Sequence, residues 1–218
     1  MAVRWVLFDL NGTLLDPSGV GAPAGLGPDD SLACLDEAVM LAMADTLSGS
    51  YRPFPGFLRA AIRRRAQLGG DLAGVDAAME LAARMPPFPD ASRALDRLRE
   101  AGLEVGVLTN SETAAAERAL EAAGLRDKLS LVSGADQVGA FKPHLQVYRH
   151  GAARAGGPPG EICMVAAHGW DLLGAARAGM QTAWVARKER LLAETHPEPG
   201  VRGATLDEVA ERIAAGDV

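Results

Sequence analysis

The chain has 218 residues, 48% of them hydrophobic and 23% charged, with 22 basic against 28 acidic side chains and a net charge of −6. That supply of apolar residues can fill a sizeable core, and the length suits one large domain or one domain carrying a small insertion. The acidic balance gives no electrostatic footprint for a phosphate backbone or an anionic lipid surface, so nucleic acid and membrane drop out and a small molecule is the expected partner.

In chain order, residues 3–8 form an apolar run of strand type ending at Asp9, with no apolar signal region before it. Cys34 and Cys163 lie far apart among apolar neighbours in no metal-ligand spacing, which suits a reducing cytoplasm. A Gly/Pro-rich stretch, 17–28, then leads into helical periodicity over about 31–48, 57–67 and 72–83 with no strand between. The run Met85-Pro86-Pro87-Phe88-Pro89 cannot continue a helix and marks the exit. Residues 17–86 are therefore expected to form an all-helical insertion, and 1–16 with 87–218 a core domain.

Beyond that exit, apolar runs at 103–108, 129–132, 162–166 and 182–185 alternate with helical patterns at 91–101, 112–123, 145–155 and 172–178, and a closing helix fits 206–215. The alternation predicts an α/β fold, a doubly wound parallel sheet with helices on both faces. Ligands of such sheets bind beyond the carboxyl ends of the strands.

Four segments fall at those strand ends. In Phe8-Asp9-Leu10-Asn11-Gly12-Thr13-Leu14-Leu15-Asp16, an acid closes the first strand ahead of a glycine turn, either as a carboxylate offered to the crevice or as a turn cap. Thr109-Asn110-Ser111 brings hydroxyl and amide groups to the same edge, although Ser111 also reads as the N-cap of the next helix. Lys142 in Phe141-Lys142-Pro143 is either solvated or held by its proline. Ala167-His168-Gly169-Trp170-Asp171 is more polar than a plain loop requires, with Asp171 as a helix cap for its simplest role. His144, His150 and His196 read as capping or surface residues.

In this order the four segments resemble the signature of the haloacid dehalogenase superfamily: a nucleophilic Asp, then Ser/Thr, then Lys, then an acidic loop. The resemblance spans the whole chain, and the helical insertion is similar to the family's small cap domain. Phosphatases of that family carry a second Asp two residues after the nucleophile and a metal-binding Asp in the fourth motif, where this chain has Asn11 and Ala167. An amide donates no proton as a general acid, and a methyl group ligates no magnesium to screen a phosphate dianion from Asp9. The segments Lys142-Pro-His-Leu-Gln-Val-Tyr148 and Trp170-Asp171 with Gly174-Ala175 instead resemble the 2-haloacid dehalogenases.

That resemblance implies a hydrolase without metal or cofactor, acting on a short 2-haloacid or related small molecule. Asp9 would form an ester with the halogen-bearing carbon. Lys142 would keep Asp9 ionised, and Thr13 and Thr109 would orient it. Asn110 would receive the halide, with Asn11, Tyr148 and Trp170 lining the pocket, and Asp171 with His168 would handle the hydrolytic water. A homodimer is a common state among the proteins it resembles. The chain departs from them at Asn11, Ala166 and His168, where they carry Tyr, Ser and Asn, and in the cap, where their substrate-binding arginine aligns with Asp45. Arg52 is expected to replace that arginine, with Arg59 next; Arg63-Arg64-Arg65 reads as a solvated face. The readings left open are a phosphatase using His168 or Asp16 as its acid, and a binding protein that has lost turnover.

Overall fold

The computed structural model describes residues 2–218. Six parallel strands, β1 (Trp5–Phe8), β2 (Glu104–Thr109), β3 (Leu131–Gly134), β4 (Ile162–Ala166), β5 (Gln181–Val185) and β6 (Val201–Gly203), lie in the order β3-β2-β1-β4-β5-β6. β4 is buried along its whole length, as a parallel strand covered on both faces must be. The chain builds outward from β1 to β3, then returns to lay β4 against the other side of β1. The reversal falls between β1 and β4, which is where a doubly wound sheet opens its crevice. Phe8 is in register with both Val107 and Val165, so the loops after β1, β2 and β4 emerge together.

Helices α4 (Ala91–Glu100), α5 (Thr113–Ala122) and α8 (Leu206–Ala215) cover the face that receives Val6 and Phe8 of β1. Helices α6 (Leu145–Ala155) and α7 (Gly169–Arg177) cover the face that receives Leu7. This is the period-two alternation of a strand sorting its side chains between two cores.

Between β1 and α4 come α1 (Pro28–Leu47), α2 (Phe54–Gly69) and α3 (Val75–Ala82), with α1 packed on α2 and α2 on α3. Pro28 opens α1, where its missing N–H costs nothing, and Asp29 and Asp30 complement the positive end of the helix dipole. The chain leaves for these helices and returns from them side by side. Asp16 N–H donates to the Pro86 carbonyl (2.8 Å) and Phe88 N–H to that of Leu14 (2.9 Å). No helix among the described residues is long and apolar enough to cross a membrane.

Two elements differ from the sequence expectation. β6 has only three residues, one of them an exposed arginine, so it carries no periodic signal. α7 begins at Gly169 rather than 172, which makes His168 its N-cap and puts Asp171 in its first turn.

Asp90, buried at the start of α4, ties the return from the insertion to the far end of the sheet. It accepts from Leu206 N–H at the start of α8 (2.9 Å) and from Arg187 (2.6 Å), whose guanidinium lies 3.9 Å from the Phe88 ring centre. Burial raises the Asp90 carboxyl, but Arg187 and the Leu206 N–H outweigh it and hold the group below its ordinary value. Its contribution is therefore present above the unfolded carboxylate pKa and lost as pH falls through the folded one. Asp90→Ala is expected to lower stability by about 3 kcal/mol at neutral pH by leaving Arg187 unpaired. A urea midpoint that does not move would contradict this.

Candidate active site

Asp9 follows β1, with its N–H on the Val165 carbonyl (2.9 Å). The chain then turns at Gly12, whose φ of +85° and close approach to His168 both require glycine: a β-carbon there would stand 2.8 Å from the imidazole Cε1. The turn returns Thr13 to Asp9. Its hydroxyl donates to Asp9 Oδ2 (3.0 Å) and accepts from Ala167 N–H (3.0 Å), clasping the loops after β1 and β4.

Lys142 is fully buried, and its ammonium donates to Asp9 Oδ1 (2.8 Å), Asp171 Oδ2 (2.6 Å) and the Leu108 carbonyl (2.9 Å). All three of its protons thus have an acceptor. Asn110 Oδ1 accepts from Lys142 N–H (2.7 Å), and Phe141 N–H donates to Thr46 Oγ1 near the end of α1 (3.0 Å), which fixes the lysine loop from two sides. Asp171 is fully buried as well. Its second oxygen accepts from the Tyr148 hydroxyl (2.7 Å), and Tyr148 fits only because position 174 is glycine, where a β-carbon would lie 2.5 Å from the tyrosine oxygen.

His168 completes the cluster. Its Nδ1 lies 3.2 Å from Asp9 Oδ2, and its ring stacks on Trp170 with centroids 5.5 Å apart; the Lys142 ammonium is 5.9 Å from the Trp170 ring centre. Burial opposes every charge here, and the partners override it at Asp9, Lys142 and His168 but not at Asp171. For Asp9, burial raises the carboxyl, but Lys142 and then His168 hold it well below the usual carboxylate range. For Lys142, burial is outweighed by Asp171 and Asp9, so the ammonium stays above its ordinary value. For His168, burial is outweighed by its hydrogen bond to Asp9 and by the charge of Asp9, and the imidazole is raised. Asp171 is pushed up by burial; Lys142 draws it back, and the charge of Asp9 adds to the rise.

The Lys142 side of Asp9 is closed. The His168 side borders a cavity of about 540 Å³ lined by residues that include Gly12, Leu35, Phe88, Ala167 and His168. The groups beside Asp9 do not suit a divalent cation: Ala167 offers a methyl, Asn11 donates its amide to Ser111 Oγ (3.3 Å), and Asp171 is occupied by Lys142 and Tyr148. Among the described residues no group of three or more His, Cys, Asp or Glu side chains is arranged to hold a metal.

The structure thus brings Asp9, Thr13, Lys142, His168, Trp170 and Asp171 together. Other residues named from the sequence stand elsewhere. Thr109 accepts from Ser111 N–H (3.1 Å) and makes no hydrogen bond to Asp9 among the described residues, while the Asn110 side chain is engaged on the backbone of Lys142. Tyr148 is fully buried, a core residue holding Asp171.

Arg52 is the plain correction. It is an exposed side chain that chelates the buried Asp45 (3.1 and 2.6 Å), and the two line a separate cavity that includes Leu41 and Phe57 but no residue of the one beside His168. The positions of α1 that face His168 are Leu32, Leu35 and Asp36. Asp45 lies nine residues beyond Asp36 on the same helix, about 14 Å along its axis. Arg59, the next candidate, pairs with Asp76. Sequence reasoning also missed Arg187 and Lys188, because a basic pair after a strand carries no sign that both reach back to the mouth of β1.

The family of haloacid dehalogenase-like hydrolases matches the chain over residues 3–179. Haloacetate dehalogenase H-2 of Moraxella sp. (strain B) is 26% identical over 220 residues, covering 97% of this chain and 98% of that protein. (S)-2-haloacid dehalogenase 4A of Burkholderia cepacia is 32% identical over 113 residues, 52% of this chain and 49% of the relative. A crystal structure of an L-2-haloacid dehalogenase superimposes with a TM-score of 0.90 at 28% identity, over 98% of this chain and 99% of the other.

The raised imidazole sets a pH dependence of stability. The contribution of the His168–Asp9 pair is complete below the unfolded histidine value of 6.5 and is lost as pH rises through the higher folded value. His168→Gln is therefore expected to cost about 2 kcal/mol at pH 6 and progressively less in alkaline solution. Urea midpoints of both proteins at several pH values test this, and a deficit that grows with pH would reverse the assignment.

Proposed function

Because the chain belongs to the haloacid dehalogenase-like hydrolase family, we propose that it hydrolyses the carbon–halogen bond of a small organic halide through an ester on Asp9, without a metal. The observation that carries this reading is the pairing of an ionised, largely buried Asp9 with the Lys142 ammonium at 2.8 Å, where a phosphate-handling site would need a cation and an acid. Its full-length relatives named as haloacid or haloacetate dehalogenases support the same chemistry.

In the first half-reaction a carboxylate oxygen of Asp9 attacks the halogen-bearing carbon, the carbon–halogen bond breaks, and the halide leaves with the electron pair. No proton is required. Lys142 keeps the nucleophile ionised and Thr13 aims it. The second half-reaction needs a base. Asp171 is buried and both its oxygens are occupied, whereas His168 borders the cavity and touches Asp9. Esterification removes the charge that raised the imidazole, so His168 releases its proton to solvent and becomes a base. It takes a proton from the water attacking the ester carbonyl and returns it to the departing alkoxide as the Cγ–O bond breaks. Asp9, left as an acid, reprotonates His168. One water is consumed, and an alcohol, a halide and a proton are released.

Asp9→Asn is expected to abolish halide release while the protein remains folded. His168→Ala is expected to slow turnover by about a hundred- to ten-thousand-fold, yet still release one halide per site and accumulate an alkyl adduct on Asp9 visible in the intact mass. An unreactive His168→Ala with no adduct would refute the division of labour. Halide release that stops with chelator would refute metal independence.

A further inference from the structure

The wall of the cavity beside His168 restricts the substrate further. Leu32 and Leu35 face it from α1, with Leu35 Cδ2 3.9 Å from where a β-carbon on Gly12 would stand, and Phe88 faces it from the core. Its cations are each paired with an acid. Arg187 holds Asp90 (2.6 Å), with a longer contact to the Thr13 carbonyl (3.4 Å) and its buried Nε–H without a partner among the described residues; Lys188 is paired with Asp36, and His168 with Asp9 (3.2 Å). Two of its acids have no cation partner among the described residues: Asp16 accepts from Ser18 N–H (2.9 Å) and Glu189 from Gly169 N–H (3.0 Å). Four arginines of the insertion, Arg52, Arg59, Arg64 and Arg65, pair with acids elsewhere, and no arginine of the insertion is among the residues lining this cavity.

A carboxylate entering here would find Arg187, Lys188 and His168 each already neutralised by an acid, with only the Arg187 Nε–H left to donate, and would meet Asp16 and Glu189 on the way. Burying an anion on those terms is strongly unfavourable. The volume of about 540 Å³ also falls within the range that suits drug-sized ligands rather than an acid of two or three carbons.

Resting on the reading of Asp9 as the alkylated nucleophile, we propose that the substrate is an uncharged haloalkyl compound whose apolar body packs against Leu32, Leu35 and Phe88, not the anion of a short 2-haloacid. The balance of the reaction is unchanged: the halide leaves with its bonding pair, water supplies the hydroxyl, and one proton goes to solvent.

A matched series tests this. 2-Chloropropionate, 2-chloropropionamide and 2-chlorohexanamide place the same leaving group beside a carbonyl while changing charge, then length. With the wild-type protein, kcat/KM for halide release is expected to favour the short amide over the acid by about tenfold or more, and the longer amide over the shorter. Leu35→Arg puts a cation into the wall and is expected to shift preference toward the acid, chiefly through KM. Wild-type turnover of the acid as efficient as that of the amide, with an ester on Asp9, overturns the substrate class and leaves the Asp9 chemistry standing. Neither halide nor adduct from all three compounds overturns the proposed reaction, and this inference with it.

Discussion

The site depends on one buried ammonium. Lys142 stands between Asp9 and Asp171 with no contact to solvent, and its loop, its neighbours and the first turn of α7 are arranged to keep it there. Such a triad is a poor way to gain stability, since desolvating three charges consumes much of what their attraction returns. Its value is chemical: it keeps a carboxylate ionised in a place where burial alone would protonate it. In the proposed cycle the charge that Asp9 loses on esterification is matched by the proton that His168 releases.

Much of this was legible in the sequence because it sits at strand ends. Asp9, Lys142 and His168 each follow or adjoin a recognisable strand or helix boundary, and parallel topology brings such boundaries to one edge whatever the details. Depth was not legible. Asp171 and His168 are three residues apart, yet one is sealed beneath Lys142 in the first turn of α7 and the other, its N-cap, borders a cavity. Asn110, read as a halide donor, is also held on the lysine loop, where its Oδ1 accepts from the Lys142 N–H, a role that nothing in the sequence signals.

The insertion was harder still. Apolar spacing identifies α1 as a helix and gives its buried stripe, but a helix of 20 residues is about 30 Å long, and periodicity does not say which turn stands over the nucleophile. Asp45 and Arg52 pair with each other far along that helix. The turn that matters carries Leu32, Leu35 and Asp36, whose apolar members resemble ordinary core residues in sequence. On the proposed reading, chemistry is written in the loops of the sheet, and selectivity in a few unremarkable side chains of the helices above it.

The paired backbone bonds at Asp16–Pro86 and Leu14–Phe88 bear on how such a protein diversifies. Because the segments leading to and from the helices are already fastened to each other, the ends of the helical segment are held together whatever its length. Doubling the length of a flexible segment between fixed ends costs only about 0.6 kcal/mol. Natural variation can thus change the length of the helical segment while Asp9, Lys142 and His168 stay in register, as long as the contacts of Thr46, Phe54 and Phe57 with Phe141 are kept.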